Sequence, residues 1–391
     1  MNKHCWRYKK LGEVCDVERG GSPRPIQQYI TDSEDGINWI KIGDAQEGSK
    51  YITSTKEKII PEGVKKSRLV HCGDFILSNS MSFGRPYILK VDGCIHDGWL
   101  VIRDKHETFI KDYLYYYLSS PTLYRTFTSL AVGGVVNNLN SKLVRNVDVI
   151  IPPKEEQEAI VAELDEINET IEALKQQVAD LDALAQSTFY TMFGDPVTNE
   201  KGWEEKKLGE LAIIGTGATP SRTKENIYYN GNIPWVKTTE VHYEDIEDTE
   251  EKITAIAVEE TNCKIYPEGT ILMAMYGQGK TRGQIAKLKI RATTNQACAA
   301  IDLSQSSCEI DFIYCHLKLM YEHIRSMARG GNQANLNLNL VNSILIINPP
   351  LALQQEFAAK VEAIESTKTE LNAQIAEMQT LLASRMDYYF D

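Results

Sequence analysis

The chain has 391 residues, enough for two or more domains that each bury a core. It is 42% hydrophobic and 25% charged, a globular composition, and no run approaches the roughly 20 apolar residues of a membrane helix. A formal charge of −12 excludes strong nonspecific attraction to nucleic acid unless the acid is segregated along the chain.

Residues 1–14, MNKHCWRYKKLGEV, contain no apolar stretch of signal-peptide length. The eight cysteines form no Cys-x-x-Cys and no matched pairs, so they read as reduced thiols and the location as cytoplasmic. Cys94 with His96, and Cys315 with His316, lack a second ligand pair, and no metal site is expected. Short β-rich runs follow between Gly, Pro, Asn and Asp punctuation, GDFILSNS at 73–80 and VDVII at 147–151 among them. One helix, DYLYYYL at 112–118, stands late in this region, with tyrosines spaced for a core.

After Pro152-Pro153 the period changes. Ile160, Leu164, Ile167, Ile171, Leu174, Val178, Leu181 and Ala185 alternate at spacings of four and three, a heptad seam. The spacing predicts a rod about 57 Å long that requires a partner for its apolar face. From Trp203 the pattern starts again. GTILMAM at 269–275 and SILII at 343–347 read as strands, DFIYCHL at 311–317 as a helix. Phe357, Val361, Ile364, Leu371, Ile375, Met378 and Leu382 form a second seam, which Lys368 interrupts.

The second half is the first written again. Trp6 with KKLGE at 9–13, Gly133-Gly134, Asn138-Leu139-Asn140 and Pro152-Pro153 return 197 residues later, as Trp203 with KKLGE at 206–210, Gly330-Gly331, Asn335-Leu336-Asn337 and Pro349-Pro350. The chain divides into a mixed domain at 1–153, a helix at 154–195, a second mixed domain at 196–350 and a second helix at 351–391. The expected fold is α+β. Two tandem mixed α/β domains are separated by two long α-helices that form an antiparallel coiled coil with an internal pseudo-two-fold.

The charge divides with the domains. Residues 1–153 carry 21 Lys/Arg against 17 Asp/Glu, and 196–350 carry 16 against 19. The two helical tails carry 2 against 11 and 3 against 7. The acid is therefore on the rods, and the mixed domains are close to neutral, which permits a phosphate-bearing partner.

A domain that opens on Trp-x-x-Lys-Lys-Leu-Gly-Glu and closes on Pro-Pro, a nearby Glu-Gln and a long heptad helix, all repeated once, resembles the specificity subunit of type I restriction–modification systems. The closing patterns here are IIPPKEEQEAIVAELDEI at 150–167 and INPPLALQQEFAAKVEAI at 347–364. The resemblance covers essentially the whole chain. It implies that each mixed domain is a target-recognition domain reading half of a split site on double-stranded DNA. The paired helices would set the spacing and dock two methyltransferase subunits. The chain itself would hold no cofactor: S-adenosylmethionine would belong to the methyltransferase, and ATP with Mg to a restriction subunit if one is present. Leu353 stands where the first copy has Glu156, which puts symmetric docking in question.

Residues 273–281, MAMYGQGKT, imitate half of a phosphate-binding loop, with Ala274 at the first glycine position. RGQIAKLKIRA follows, reading as a turn and a strand where a nucleotide site needs a helix, so no nucleotide is expected.

Base edges are read by Arg or Lys on guanine and by Asn or Gln on adenine, held on loops by a rigid scaffold. Loops that differ between the copies supply the candidates. They are Asn79, Ser80 and Arg85 against Tyr276, Gln278, Lys280 and Arg282; Lys41 against Lys237, Thr238 and Thr239; His96 and Asp97 against Asn295 and Gln296; and Asn137 and Asn138 against Arg329, Asn332, Gln333 and Asn335. The copies share no His, Cys or carboxylate constellation, and no catalytic set is expected. A coiled-coil scaffold with two protein-binding heads is the alternative; it leaves the loop divergence unexplained.

Overall fold

The computed structural model describes residues 6–46, 48–79, 84–132, 139–277, 279–328 and 335–391. The chain forms two compact units that are not contiguous in sequence: Met1–Leu174 with Ala373–Asp391, and Lys175–Asn372. Among the described residues no helix is long and apolar enough to cross a membrane.

The repeated anchors clasp each unit. In the first, strand Arg7–Lys10 pairs antiparallel with Asp148–Ile151, so the Trp-Lys-Lys opening lies along the strand that precedes Pro-Pro. In the second, Glu205–Lys207 pairs with Leu345–Ile347 in the same way. The leucine of each KKLGE is fully buried, and its N–H donates to a backbone carbonyl: Leu11 to Val147 at 2.8 Å, Leu208 to Ile344 at 2.8 Å. Asn140 and Asn337 cap the short helices Ser141–Arg145 and Leu338–Asn342, each side chain accepting the N–H three residues on at 3.0 Å. Conserved spacing between the copies therefore marks the positions that close the backbone on itself.

Inside the first clasp are two five-stranded sheets. One has the order Cys15–Arg19, Trp99–Asp104, Phe75–Ser78, Pro86–Leu89, Tyr51–Ile52; the other has Ile30–Thr31, Glu57–Ile59, Ile37–Ile40, Gly93–Ile95, Arg68–Val70. The second unit repeats this with a four-stranded sheet (Ile213–Thr216, Cys298–Asp302, Ile271–Ala274, Ile285–Lys287) and a three-stranded one (Glu251–Ile253, Tyr229–Val236, Thr293–Thr294). The runs read as strands are strands, and DYLYYYL and DFIYCHL lie in helices Lys111–Ser119 and Ile310–Leu319. The tyrosines are core: Tyr113 and Tyr117 are buried and pack against Phe390.

The two rods are the 40-residue helices Lys154–Phe193 and Leu351–Phe390. In the first unit Ile160 and Leu164 are buried with Met386, Tyr389 and Phe390, and Arg385 pairs with Glu163. In the second, Asp182 bonds Lys368 at 2.8 Å, while Phe189 and Phe193 pack against Phe357 at 5.5 Å between ring centroids. Ascending one helix meets descending residues on the other, so the pair within this unit is antiparallel. Lys368 interrupts the seam without an unpaired charge, because Asp182 and Glu365 both accept from it. Gln157 and Gln354, one residue past the site of the Glu156–Leu353 difference and its flanks, are buried and join each rod to its unit. Gln157 accepts from Ile110 N–H at 2.7 Å and donates to Thr108 and Pro152 carbonyls; Gln354 accepts from Glu309 N–H at 3.1 Å and donates to Pro349 O. The copies do diverge at Glu156. The Trp6 indole donates to that carboxylate at 2.8 Å, whereas Trp203, with Leu353 in the acid's place, donates to Phe193 O at 2.9 Å.

A second exchange between the copies creates a pH liability. Tyr117 Oη accepts from Ile150 N–H at 3.0 Å; at the matching place in the second unit, His316 Nε2 accepts from Ile347 N–H at 3.1 Å. The accepting Nε2 puts the proton on Nδ1, which is buried with no partner. Burial pushes the imidazole pKa down to about 3. The unfolded chain takes up a proton below about pH 6.5 that the native state refuses, so stability is intact above that pH and declines below it. The decline is roughly 1.4 kcal/mol per pH unit, about 2 kcal/mol by pH 5. In urea titrations at pH 7.5 and 5.0, His316→Tyr, the residue type of the first unit, should lose that portion of the acid sensitivity.

Candidate nucleic-acid interface

The candidate residues lie where the strands end. In the first unit Phe75–Ser78 runs out at Asn79, whose N–H donates to Gly98 O at 2.9 Å and whose carbonyl accepts from Leu139 N–H at 3.0 Å. His96 N–H donates to Ile40 O at 3.1 Å, immediately before Lys41, and Gly21 N–H donates to Ile95 O at 3.1 Å. Ser22 Oγ donates to Asp97 Oδ1 at 2.7 Å. These bonds draw the segments around residues 20–24, 41–44, 79, 84–85, 96–98 and 139 to one edge of the unit.

The second unit uses the same bonds with different side chains. Met275 N–H donates to Ala297 O at 2.8 Å, and Met275 O accepts from Leu336 N–H at 3.0 Å. Asn295 N–H donates to Val236 O at 3.0 Å, immediately before Lys237. Thr219 Oγ1 donates to Gln296 Oε1 as Ser22 does to Asp97. His96 Nδ1 and Asn295 Oδ1 play one role, each accepting the N–H two residues on, at 2.9 and 3.0 Å. The described residues of the loops singled out from sequence thus lie, copy by copy, on a common frame.

Not every candidate faces outward. Asn79 is 1% exposed and its amide donates to Asp97 O at 3.0 Å, so this side chain holds the 96–98 turn. Lys41 is bonded by Glu57, and Lys237 by Glu250 at 2.6 Å and Glu251 at 3.1 Å, so an acid already balances each cation. Asp97 binds Ser22, lies 3.0 Å from His96 Nε2 and 3.6 Å from an Arg24 that is largely exposed. Burial by itself raises its pKa, but the Ser22 hydroxyl, His96 and Arg19 outweigh that and hold the carboxyl below its usual range. Arg85 is half-buried, its backbone N–H donating to Ser78 Oγ at 3.0 Å. Thr239, Tyr276, Lys280 and Gln296 are exposed; Thr238, Arg282, Asn295 and Asn335 are half-buried. Ser80, Asn137, Asn138, Gln278, Arg329, Asn332 and Gln333 lie outside the described residues.

The Gly-Lys-Thr segment joins strands Ile271–Ala274 and Ile285–Lys287 of an antiparallel hairpin, so a strand follows Thr281 as expected. Matching bonds expose a difference in loop length. Gly84 N–H donates to Ser78 O and Gly283 N–H to Ala274 O, both at 2.8 Å, yet five residues separate the first pair and eight the second. Arg85 accordingly matches Gln284, and Asn79 matches Met275.

Sequence reasoning missed the loop that opens each candidate edge. GGSP at 20–23 and GATP at 217–220 repeat at the same offset of 197 and carry Ser22 and Thr219 to Asp97 and Gln296. That repeat was the available signal, and it leads to Arg24 and Arg19 as further exposed cations.

The gathered groups are acceptors and donors suited to base edges and phosphates. Nucleophilic chemistry is not favoured at Cys15, Cys298 and the partly buried Cys315, since desolvation pushes each thiol up to about 12. Among the described residues no group of three or more His, Cys, Asp or Glu is placed to hold a metal ion.

Residues 4–182 and 200–378 each match the family model described as type I restriction modification DNA specificity domain. The type I restriction enzyme MjaIX specificity subunit of Methanocaldococcus jannaschii is 25% identical over 378 residues, spanning 92% of this chain and 86% of that protein. The HindI specificity subunit of Haemophilus influenzae is 28% identical over 194 residues, 48% of this chain and 41% of that one. Two solved structures share the fold. A chain of a type I R-M system matches with TM-score 0.61 and 19% identity over 98% of this chain and 97% of its own length. The S subunit from M. genitalium matches with TM-score 0.53 and 15% identity over 97% and 95%.

Proposed function

The chain belongs to the type I restriction modification DNA specificity family, and on that premise we propose that it reads a bipartite, asymmetric site on double-stranded DNA and positions methyltransferase subunits through its paired helices. One observation carries the proposal: a hydrogen-bonded frame repeated in both units presents different side chains at matching places, His96 against Asn295, Asp97 against Gln296, Arg85 against Gln284. A shared frame with exchanged polar groups is what two readers of unlike half-sites require. A scaffold binding protein through its two heads has no comparable use for it.

In this reading the acidic rods serve the protein partners, and the near-neutral units approach the phosphates. The chain holds no cofactor. S-adenosylmethionine enters with the methyltransferase, ATP and Mg with a restriction subunit where one is present, and the assembly works in the cytoplasm. Co-expression with the methyltransferase, followed by mapping of methylated bases with and without this chain, tests it. The expected result is co-purification and a split, non-palindromic consensus; methylation without such a consensus would discard the reading.

A further inference from the structure

The extra residues of the second unit's hairpin loop come with a clamp. Tyr321 Oη donates to Lys280 O at 2.5 Å, and Arg325 Nη2 donates to Gly279 O at 2.8 Å. Arg325 Nη1 donates to Tyr321 Oη at 2.5 Å, tying the two side chains into one fork, and the Arg325 guanidinium carbon lies 5.1 Å from the tyrosine ring centre. Both belong to helix Tyr321–Met327. Gly283, at φ +86°, lets the loop close onto them, since a Cβ there would lie 3.2 Å from Arg325 Cγ.

The first unit supplies an internal control. Tyr124 lies against Gly84 as Tyr321 does against Gly283, 197 residues apart. Four residues on, however, the first unit has Thr128, whose hydroxyl turns back to Tyr124 O at 2.8 Å. The arginine is present in the copy with three more loop residues and absent from the copy without them. An arginine that donates to one loop carbonyl and to the tyrosine hydroxyl that holds the next is arranged to hold backbone.

We propose that Arg325, acting with Tyr321, is a positioning residue that fixes the longer loop of the second unit and so determines which bases Lys280 and Arg282 reach. This rests on the chain being a DNA specificity subunit. Arg325 itself does not touch DNA in this proposal. It confers specificity on one half-site by ordering the loop before binding, which spares the complex the entropy of ordering it afterwards.

The test uses the complex with its methyltransferase and duplexes carrying the mapped site or single base-pair changes in either half. Arg325→Ala should lower discrimination about tenfold at bases of one half-site and leave the other half unchanged. Arg325→Lys should not restore it, because an ammonium cannot span Gly279 O and Tyr321 Oη as the fork does. Combined with Lys280→Ala and Arg282→Ala, Arg325→Ala should add little, the coupling expected when one residue acts through others. Tyr321→Phe removes only a hydroxyl and should show the same half-site effect in a chain that keeps its packing. The proposal is overturned if lysine rescues, if the effects multiply independently, or if the salt dependence of binding falls by about one ion, the mark of a lost phosphate contact. Absence of any split-site preference in the unaltered complex would instead refute the DNA reading itself.

Discussion

Gly217→Ala is expected to silence the second reader while the first still recognises its half of the site. A Cβ at position 217 would lie 1.6 Å from Thr294 O and 2.5 Å from Thr294 C, distances no side-chain adjustment relieves because both atoms are backbone. Thr294 cannot retreat: it pairs in register with Val236, and Asn295 N–H donates to Val236 O at 3.0 Å. The 217–221 segment must therefore leave the sheet edge and take the Thr219–Gln296 bond with it. The cost should exceed the roughly 1–3 kcal/mol of ordinary overpacking, because a backbone collision replaces a side-chain one. Gly20→Ala is the reciprocal experiment, with its Cβ 2.2 Å from His96 O and the Ser22–Asp97 bond at stake. Binding of the methyltransferase complex to duplexes scrambled in one half or the other reads both. Each variant should lose about 100-fold or more on the intact site and become indifferent to one half only, within the span that separates specific from nonspecific binding. Indifference to both halves in either variant would mean that the two units do not read independently.

The frame was legible because it is made of residues whose jobs are local and unforgiving. Leu11 and Leu208 fill a core and close a backbone bond, Asn140 and Asn337 cap helices, and such positions stay in register through a duplication. The loops were legible as loops, and the structure brings their described residues together. What sequence could not supply was the direction each side chain takes there. Asn79 has the chemistry of an adenine reader, but long-range contact with residues 97 and 98 buries it. Lys41 and Lys237 look available until strand pairing brings Glu57 and Glu251 beside Trp39 and Trp235, and so within their reach. A constant offset also misaligns the copies locally. Trp39 and Trp235 differ by 196, Gly84 and Gly283 by 199, Asn140 and Asn337 by 197, because surface loops absorb insertions at little cost. The loop with the most useful sequence difference is therefore the one that a fixed register displaces, and Arg325 is visible only once the hydrogen bonds reset it.

Phe193→Ala should be the most damaging substitution in the second unit outside the candidate recognition loops. Phe189, Phe193, Phe312 and Phe357 are each fully buried and bring both rods onto the globular body. Phe193 lies 4.9 Å from the Phe312 centroid, 5.1 Å from Phe189 and 5.5 Å from Phe357. Truncation removes three aromatic neighbours at once and leaves a cavity that rigid rings cannot fill, at about 3–5 kcal/mol. For a unit of this size that is a fall of roughly 6–20 °C in its calorimetric transition. The rod by itself would gain from the change, since alanine is the better helix former. Leu184, exposed on the same helix, is the control: Leu184→Ala should move the transition by about 0.5 kcal/mol or less. If the two variants melted alike, the long helix would be stable through its own propensity, and pairing within the unit would not be what holds it. A large difference would place the stability of the rod in the aromatic contact, where rod and recognition body share one core and neither can be altered alone.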